Sequence, residues 1–146
     1  MAASHHGEVH DPEGLLDCLP LDRGPQLALA TAALRWSSSV PAPAAADVEL
    51  IALQLTGHAR TVARELGGRV GEVAAGTPLR WRLEIVVDDA NRRLAVKAPK
   101  NASVAHTQSR ARLVVGLYRS LDEIDQHRCL IAFVTSAPTA RAVLDS

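Results

Sequence analysis

The run from Asn101 to Ile124, NASVAHTQSRARLVVGLYRSLDEI, constrains the fold more than any other part of the chain. Val104, Ala111 and Tyr118 recur every seven residues. Thr107, Val114 and Leu121 form an interleaved row, and Leu117 and Ile124 widen the stripe. A period near 3.6 keeps such side chains on one face of a helix that packs against other helices. The expected fold class is therefore all-α. Composition supports it: 47% of residues are hydrophobic but only 3% are aromatic. Ala, Leu and Val must fill the core, which suits closely packed helices better than a sheet.

The remaining punctuation divides the chain. Its 146 residues are enough for one domain with a core and too few for two ordinary ones. Residues 1–10 read as a flexible leader, 11–128 as a helical bundle and 129–146 as an irregular tail that could dock on the bundle. Asp11-Pro12-Glu13 is a helix start, with Pro at a first-turn position, and Pro20 stops that helix after Cys18. Gly24-Pro25 opens a second short segment that ends near Ser37 to Ser39, and Pro41 and Pro43 mark a linker.

Three longer helices follow. Asp47 is the expected cap of the first, with Val48, Ile51, Leu55, Val62 and Leu66 on one face and Gly67-Gly68 as its end or a weak joint. Thr77-Pro78 restarts a helix carrying Leu79, Leu83, Val86, Ala90 and Leu94. Pro99 closes it, and Asn101 or Ser103 caps the third. The expected architecture is a small bundle of three long helices, up-down-up, with the N-terminal short helices as a further layer. CLIAFVTSAP, from Cys129, is compactly apolar and β-branched, which predicts a strand or a docked coil.

Formal net charge is zero, so global charge selects no partner. Its distribution is uneven. Met1 to Leu50 holds two arginines against seven acidic residues, a net of −5. Leu79 to Ser120 holds nine basic against three acidic residues, a net of +6. An acidic opening lying against basic later helices accounts for the split, and a basic face for phosphates or an acidic partner is the alternative. The opening decapeptide lacks the apolar stretch of a signal peptide, and no run is long enough to span a bilayer. The expectation is a cytoplasmic protein without a membrane partner, its Cys18 and Cys129 thiols both free.

Three segments resemble a small actinobacterial family of unknown function whose members are labelled natural product biosynthesis proteins. They are DVELIALQLTGHARTV at Asp47 to Val62, ANRRLAV at Ala90 to Val96 and SVAHTQSRARLVVGLYRSLDEI at Ser103 to Ile124. Gly57-His58, the paired arginines before Leu94 and the Ala-His…Arg-Ala-Arg pattern carry the resemblance, which covers about half the chain. It implies a small helical protein acting near a secondary-metabolite pathway. It transfers no reaction and no catalytic residue.

Candidate chemistry is sparse. His58, one turn from Leu55 and Val62, could carry a proton or simply bond an acceptor at the core edge, and Gly57 beside it could permit close helix approach. Tyr118 could be the polar handle of a pocket closed by Trp36 or Trp81, although large rings more often anchor a core. These readings make His58 and Tyr118 the candidate catalytic groups. His106 and Arg110 share a helix face and could hold an anion or stay solvated. Arg92 and Arg93, with Lys97, Lys100, Arg112 and Arg119, offer guanidinium and ammonium groups suited to phosphate or carboxylate. Trp81, Arg92, Arg93, His106 and Arg110 are thus the candidate ligand-binding residues.

Glu84, Asp88 and Asp89 could act as paired carboxylates, but Arg80, Arg92 and Lys97 nearby favour surface ion pairs. His5, His6 and His10, with Glu8 and Asp11, could gather a metal only by ordering a leader, so no metal site is assigned. The chain has no P-loop, no G-x-G-x-x-G and no Ser nucleophile elbow, and no cofactor is expected. The first functional expectation is a non-catalytic accessory or interaction protein that binds a protein partner or itself. A small enzyme or ligand-binding protein with a pocket in the bundle is the alternative. A nucleic-acid-associated regulator is the third reading, disfavoured because no recognition motif is present.

Overall fold

Local signals place four helices. In the computed structural model, which describes residues 23–136, these are α1 (Arg23–Leu34), α2 (Ala45–Arg69), α3 (Pro78–Ala95) and α4 (Val104–Ser136). A 3-10 turn at Val70–Glu72 extends α2, so Gly67-Gly68 does not end that helix. No strand occurs among the described residues. The leader and the expected helix at Asp11 to Cys18 lie outside them.

The starts differ in how they are capped. Thr77 accepts a hydrogen bond on Oγ1 from the Arg80 amide at 3.3 Å, with Pro78 as the first helical residue. Ser103 does the same for the His106 amide at 3.1 Å. Asp47 is not a cap: α2 begins at Ala45, two residues earlier, and Asp47 sits in its first turn, where a carboxylate favours the positive helix end. Gly76 before α3 has φ +84, a left-handed conformation that a Cβ would strain.

Contacts across helices fix the topology. Thr107 donates to the Val48 carbonyl, His58 bonds Tyr118 and Arg69 bonds Asp125, so α2 and α4 run parallel. Arg23 meets Asp122 while Gln108 meets Ala33, so α1 runs antiparallel to α4. Arg82 meets Glu123 and Arg110 meets Arg93, so α3 is antiparallel as well. The chain therefore alternates down, up, down, up. α4 packs most extensively on α2 and α1, and α3 lies mainly against α2. The expected three-helix arrangement thus has α1 as its fourth layer.

The core follows the sequence stripes. Leu55, Val62 and Leu66 of α2, Leu83 and Ala90 of α3, and Val114, Leu117, Leu121 and Ile124 of α4 are all buried. Removing these groups from water, at about 25 cal/mol per Å², is the main stabilising contribution. Val104 departs from its row and stays partly exposed at the helix start. Gly57 gives no close helix approach, since a Cβ there would meet nothing within 4 Å.

The expected strand or coil after Cys129 is absent. α4 continues unbroken through Cys129 to Ser136. Each added residue of an existing helix gains a hydrogen bond without a new nucleation cost, which outweighs the weak strand preference of Ile131, Val134 and Thr135. The hydroxyls of Thr135 and Ser136 bond back to the carbonyls of Ile131 and Ala132. The rest of the expected tail, from residue 137, lies outside the described residues.

Leu83→Ala should lower stability by about 2–5 kcal/mol, and Val114→Ala by somewhat less, because both side chains are buried in the shared core. Chemical denaturation of the two variants against the parent measures this, and an unchanged midpoint for Leu83→Ala would contradict the packing of α3.

Candidate functional site

The two ends of the bundle carry opposite electrostatic arrangements. At the first, α4 supplies Asp122, Glu123 and Asp125, and each takes an arginine from a different helix. Arg23 of α1 meets Asp122 at 2.7 Å, Arg82 of α3 meets Glu123 at 2.6 Å and Arg69 of α2 meets Asp125 at 2.6 Å. Arg128 of α4 returns the contact to Glu72 at 3.5 Å. Bonding to Asp125 holds Arg69 protonated more firmly than usual. Such exposed pairs contribute about 0–1 kcal/mol each, and together they tie this stretch of α4 to α1, α2 and α3.

Beyond these pairs α4 runs on past the other described helices. Leu130, Ile131, Phe133 and Val134 are exposed, Phe133 by 73%. Leu130, Phe133 and Val134 are spaced i, i+3, i+4 and share one side of the helix. At 3.6 residues per turn that side is rotated by about 150° from the core row Leu117, Leu121 and Ile124, close to the opposite side of the helix. The apolar end is not a continuation of the core face.

At the opposite end, Arg60 and Arg110 come together with no ion pair to a carboxylate among the described residues. Arg110 is only 6% exposed and donates through Nη2 to the Arg93 carbonyl at 3.2 Å. Arg60 donates to the Leu94 carbonyl at 3.4 Å. Both guanidinium groups thus serve carbonyls in the last turn of α3, where the helix end is partially negative. The Arg110 Nε is buried without a hydrogen-bond partner. Burial, then the charges of Arg60 and Arg93, lower the proton affinity of Arg110. Burial first, and the Arg110 charge second, push the His106 imidazole below its usual value of 6.5. His106 and Arg110 therefore do share a face, but Arg110 is packed inside the protein rather than solvated.

A cleft of about 250 Å³ opens beside these cations, between α2, the α3–α4 connection and the start of α4. Arg60, Lys100 and His106 line it, with Glu49 as the acidic residue of the wall. Leu53 and Pro99 supply apolar surface. Arg60 was not visible as a site residue in the sequence, because it comes from α2 and forms no motif with His106, whereas Lys100 belongs to the basic group that the sequence marks out.

The candidate catalytic pair does come together. His58 Nε2 lies 2.5 Å from the Tyr118 hydroxyl, and the Arg23 guanidinium sits 4.4 Å from the centre of the tyrosine ring. Arg23 in turn reaches Asp122, so the contacts tie α1, α2 and α4 together. Neither His58 nor Tyr118 lines the cation-rich cleft. Their partnership is a hydrogen bond at the core edge, with Tyr118 only 3% exposed.

The other candidates separate. Trp81 is 67% exposed and anchors no core, whereas Trp36 packs partly against it. Trp81 borders a shallow cleft with Arg80 and Glu84, far along α3 from Arg93. Arg92 and Arg93 face Arg112 across a shallow groove between α3 and α4, and Arg93 is paired with Asp89 at 2.9 Å. Arg80 pairs with Glu84 at 2.7 Å, so Glu84 and Asp89 form surface ion pairs, while Asp88 and the expected partners Arg92 and Lys97 take part in none among the described residues. No group of three or more potential metal ligands occurs among the described residues. Cys129 is a free, exposed thiol on α4, while Cys18 and the leader histidines lie outside the described residues. Of the acidic opening only Asp47 and Glu49 are described, and the interhelical ion pairs instead use acids of α4 and Glu72. No described helix is long and apolar enough to cross a membrane.

No protein-family model, no curated protein and no solved structure matches this chain.

His106 gives a signed pH effect. Its folded-state pKa lies below the unfolded value, so the fold favours the neutral ring. The associated stability is full above about pH 6.5 and is lost as pH falls through the lowered folded value. His106→Gln should flatten the stability-versus-pH curve in that window. Matched denaturation series from pH 5 to 8 for parent and variant measure it, and identical curves would contradict the assignment.

Proposed function

We propose that this chain is a non-catalytic interaction protein whose docking element is the projecting end of α4. The observation that carries this reading is the exposed set Leu130, Phe133 and Val134 beyond the level where the other described helices stop. Spacing of i, i+3, i+4 is what a helix uses to seat itself in an apolar groove. Two turns of helix present too little area for a stable pairing with an identical flat face, which needs about 800 Å² from each partner. A partner protein that encloses the helix in a hydrophobic groove fits better than a second copy. Placement beside a secondary-metabolite pathway rests on the residue resemblance alone. Coexpression with proteins encoded beside it supplies the candidate partners.

Phe133→Asp should leave the helical spectrum and the melting transition intact, since Phe133 makes no core contact. It should weaken partner binding by at least about 30-fold, as loss of a central groove anchor costs roughly 2 kcal/mol or more. Titration calorimetry of parent and variant against a captured partner decides it, with light scattering of the isolated chain alongside. Equal affinities would remove α4 from the interface. A dimer that Phe133→Asp dissolves would replace the groove with self-association.

A further inference from the structure

We propose that the cleft at the α4 start is a binding site for a small organic anion, a phosphate ester or carboxylate with a compact apolar body. The proposal is independent of the α4 docking element, which lies at the other end of the bundle. Capping explains part of the cation cluster: one N–H of Arg60 and one of Arg110 are used by the α3 carbonyls. It leaves Lys100 and His106, which line the cleft, unexplained. Arg110 is more than nine-tenths buried, one turn along the same face from His106, and its charge is felt there.

Three further observations point to an anion. The cleft wall holds two permanent cations, Arg60 and Lys100, and His106 against the single carboxylate Glu49. No ion pair joins Arg60, Lys100 or Arg110 to an acid among the described residues. The cleft also opens at the N-terminal end of a 33-residue helix, where the backbone is partially positive. Arg110 does not itself line the cleft, but its buried charge reaches His106, which does, and so attracts an anion held there. Leu53 and Pro99 then favour an apolar body on the ligand over a bare ion. The volume, about 250 Å³, limits that body to something near a single ring.

The probes are phenyl phosphate and benzoate, with benzyl alcohol as the uncharged control. Each is titrated into the full chain at low salt and followed by amide shifts. The expected result is saturable binding of at least one anion, with shifts concentrated at residues 98–106 and Arg60. The tighter of the two identifies the head group. Lys100→Gln, an exposed loop substitution that spares the core, should weaken binding roughly tenfold, equivalent to about 1.4 kcal/mol. His106→Gln tests the helix side of the cleft in the same way. Equal binding of benzyl alcohol, shifts spread over the Arg92 and Arg112 groove, or affinity unchanged by Lys100→Gln would each overturn the proposal. So would the absence of any saturable shift.

Discussion

Burial of the inner face of α4 is the interaction on which the rest of the structure depends. Val114, Leu117, Leu121 and Ile124 are buried where α4 packs on α2 and α1, and α3 is held mainly through α2. Apolar packing alone would tolerate sliding along the helix axes, because Ala, Val and Leu surfaces are interchangeable to within a turn. The polar contacts of α4 remove that freedom. Gln108 serves the Ala33 and Trp36 carbonyls at the end of α1, and Arg110 serves Arg93 at the end of α3. Thr107 bonds Val48 near the start of α2. One turn of α4 thus fixes the axial position of three helices.

The same helix sorts charge along the bundle. Its acidic stretch, Asp122 to Asp125, neutralises arginines from three helices at one end. Its opening turns carry His106 and Arg110, and Arg110 lies beside Arg60 at the other, neither arginine in an ion pair among the described residues. The contrast is physical as well as positional. Paired arginines at the first end are partly exposed and interchangeable with solvent. The unpaired Arg110 at the second is buried, where water cannot screen it. The chain's overall neutrality hides this division, which is why net charge gives no hint of either end.

Much of the fold was legible before any coordinates. The heptad row from Thr107 to Ile124, the Thr77-Pro78 restart and the Ser103 cap all follow from short-range rules, and all hold in the structure. The errors have local causes too. Asp47 looked like a cap because carboxylates suit helix starts, yet they suit the whole first turn. Ile131 to Thr135 looked like strand because propensity was weighed without the helix already running into it. The candidate site was less legible. His106 and Arg110 were visible as a pair at helical spacing, whereas Arg60 lies far from them on α2 and Lys100 sits in the loop just before α4. Trp81 attracted attention by size alone and faces solvent.

Sequence by itself determined that the chain is helical, where three of its helices lie and which faces they bury, because those properties depend on residues within a few turns of one another. Tertiary structure decided that α2 and α4 run parallel, that His58 meets Tyr118, and that Arg110 is buried beside Arg60. It also decided that α4 runs on as helix to Ser136, past the other described helices. Those outcomes depend on how far each helix extends before its neighbours stop, and on charges brought together from separate helices. No local periodicity encodes either quantity.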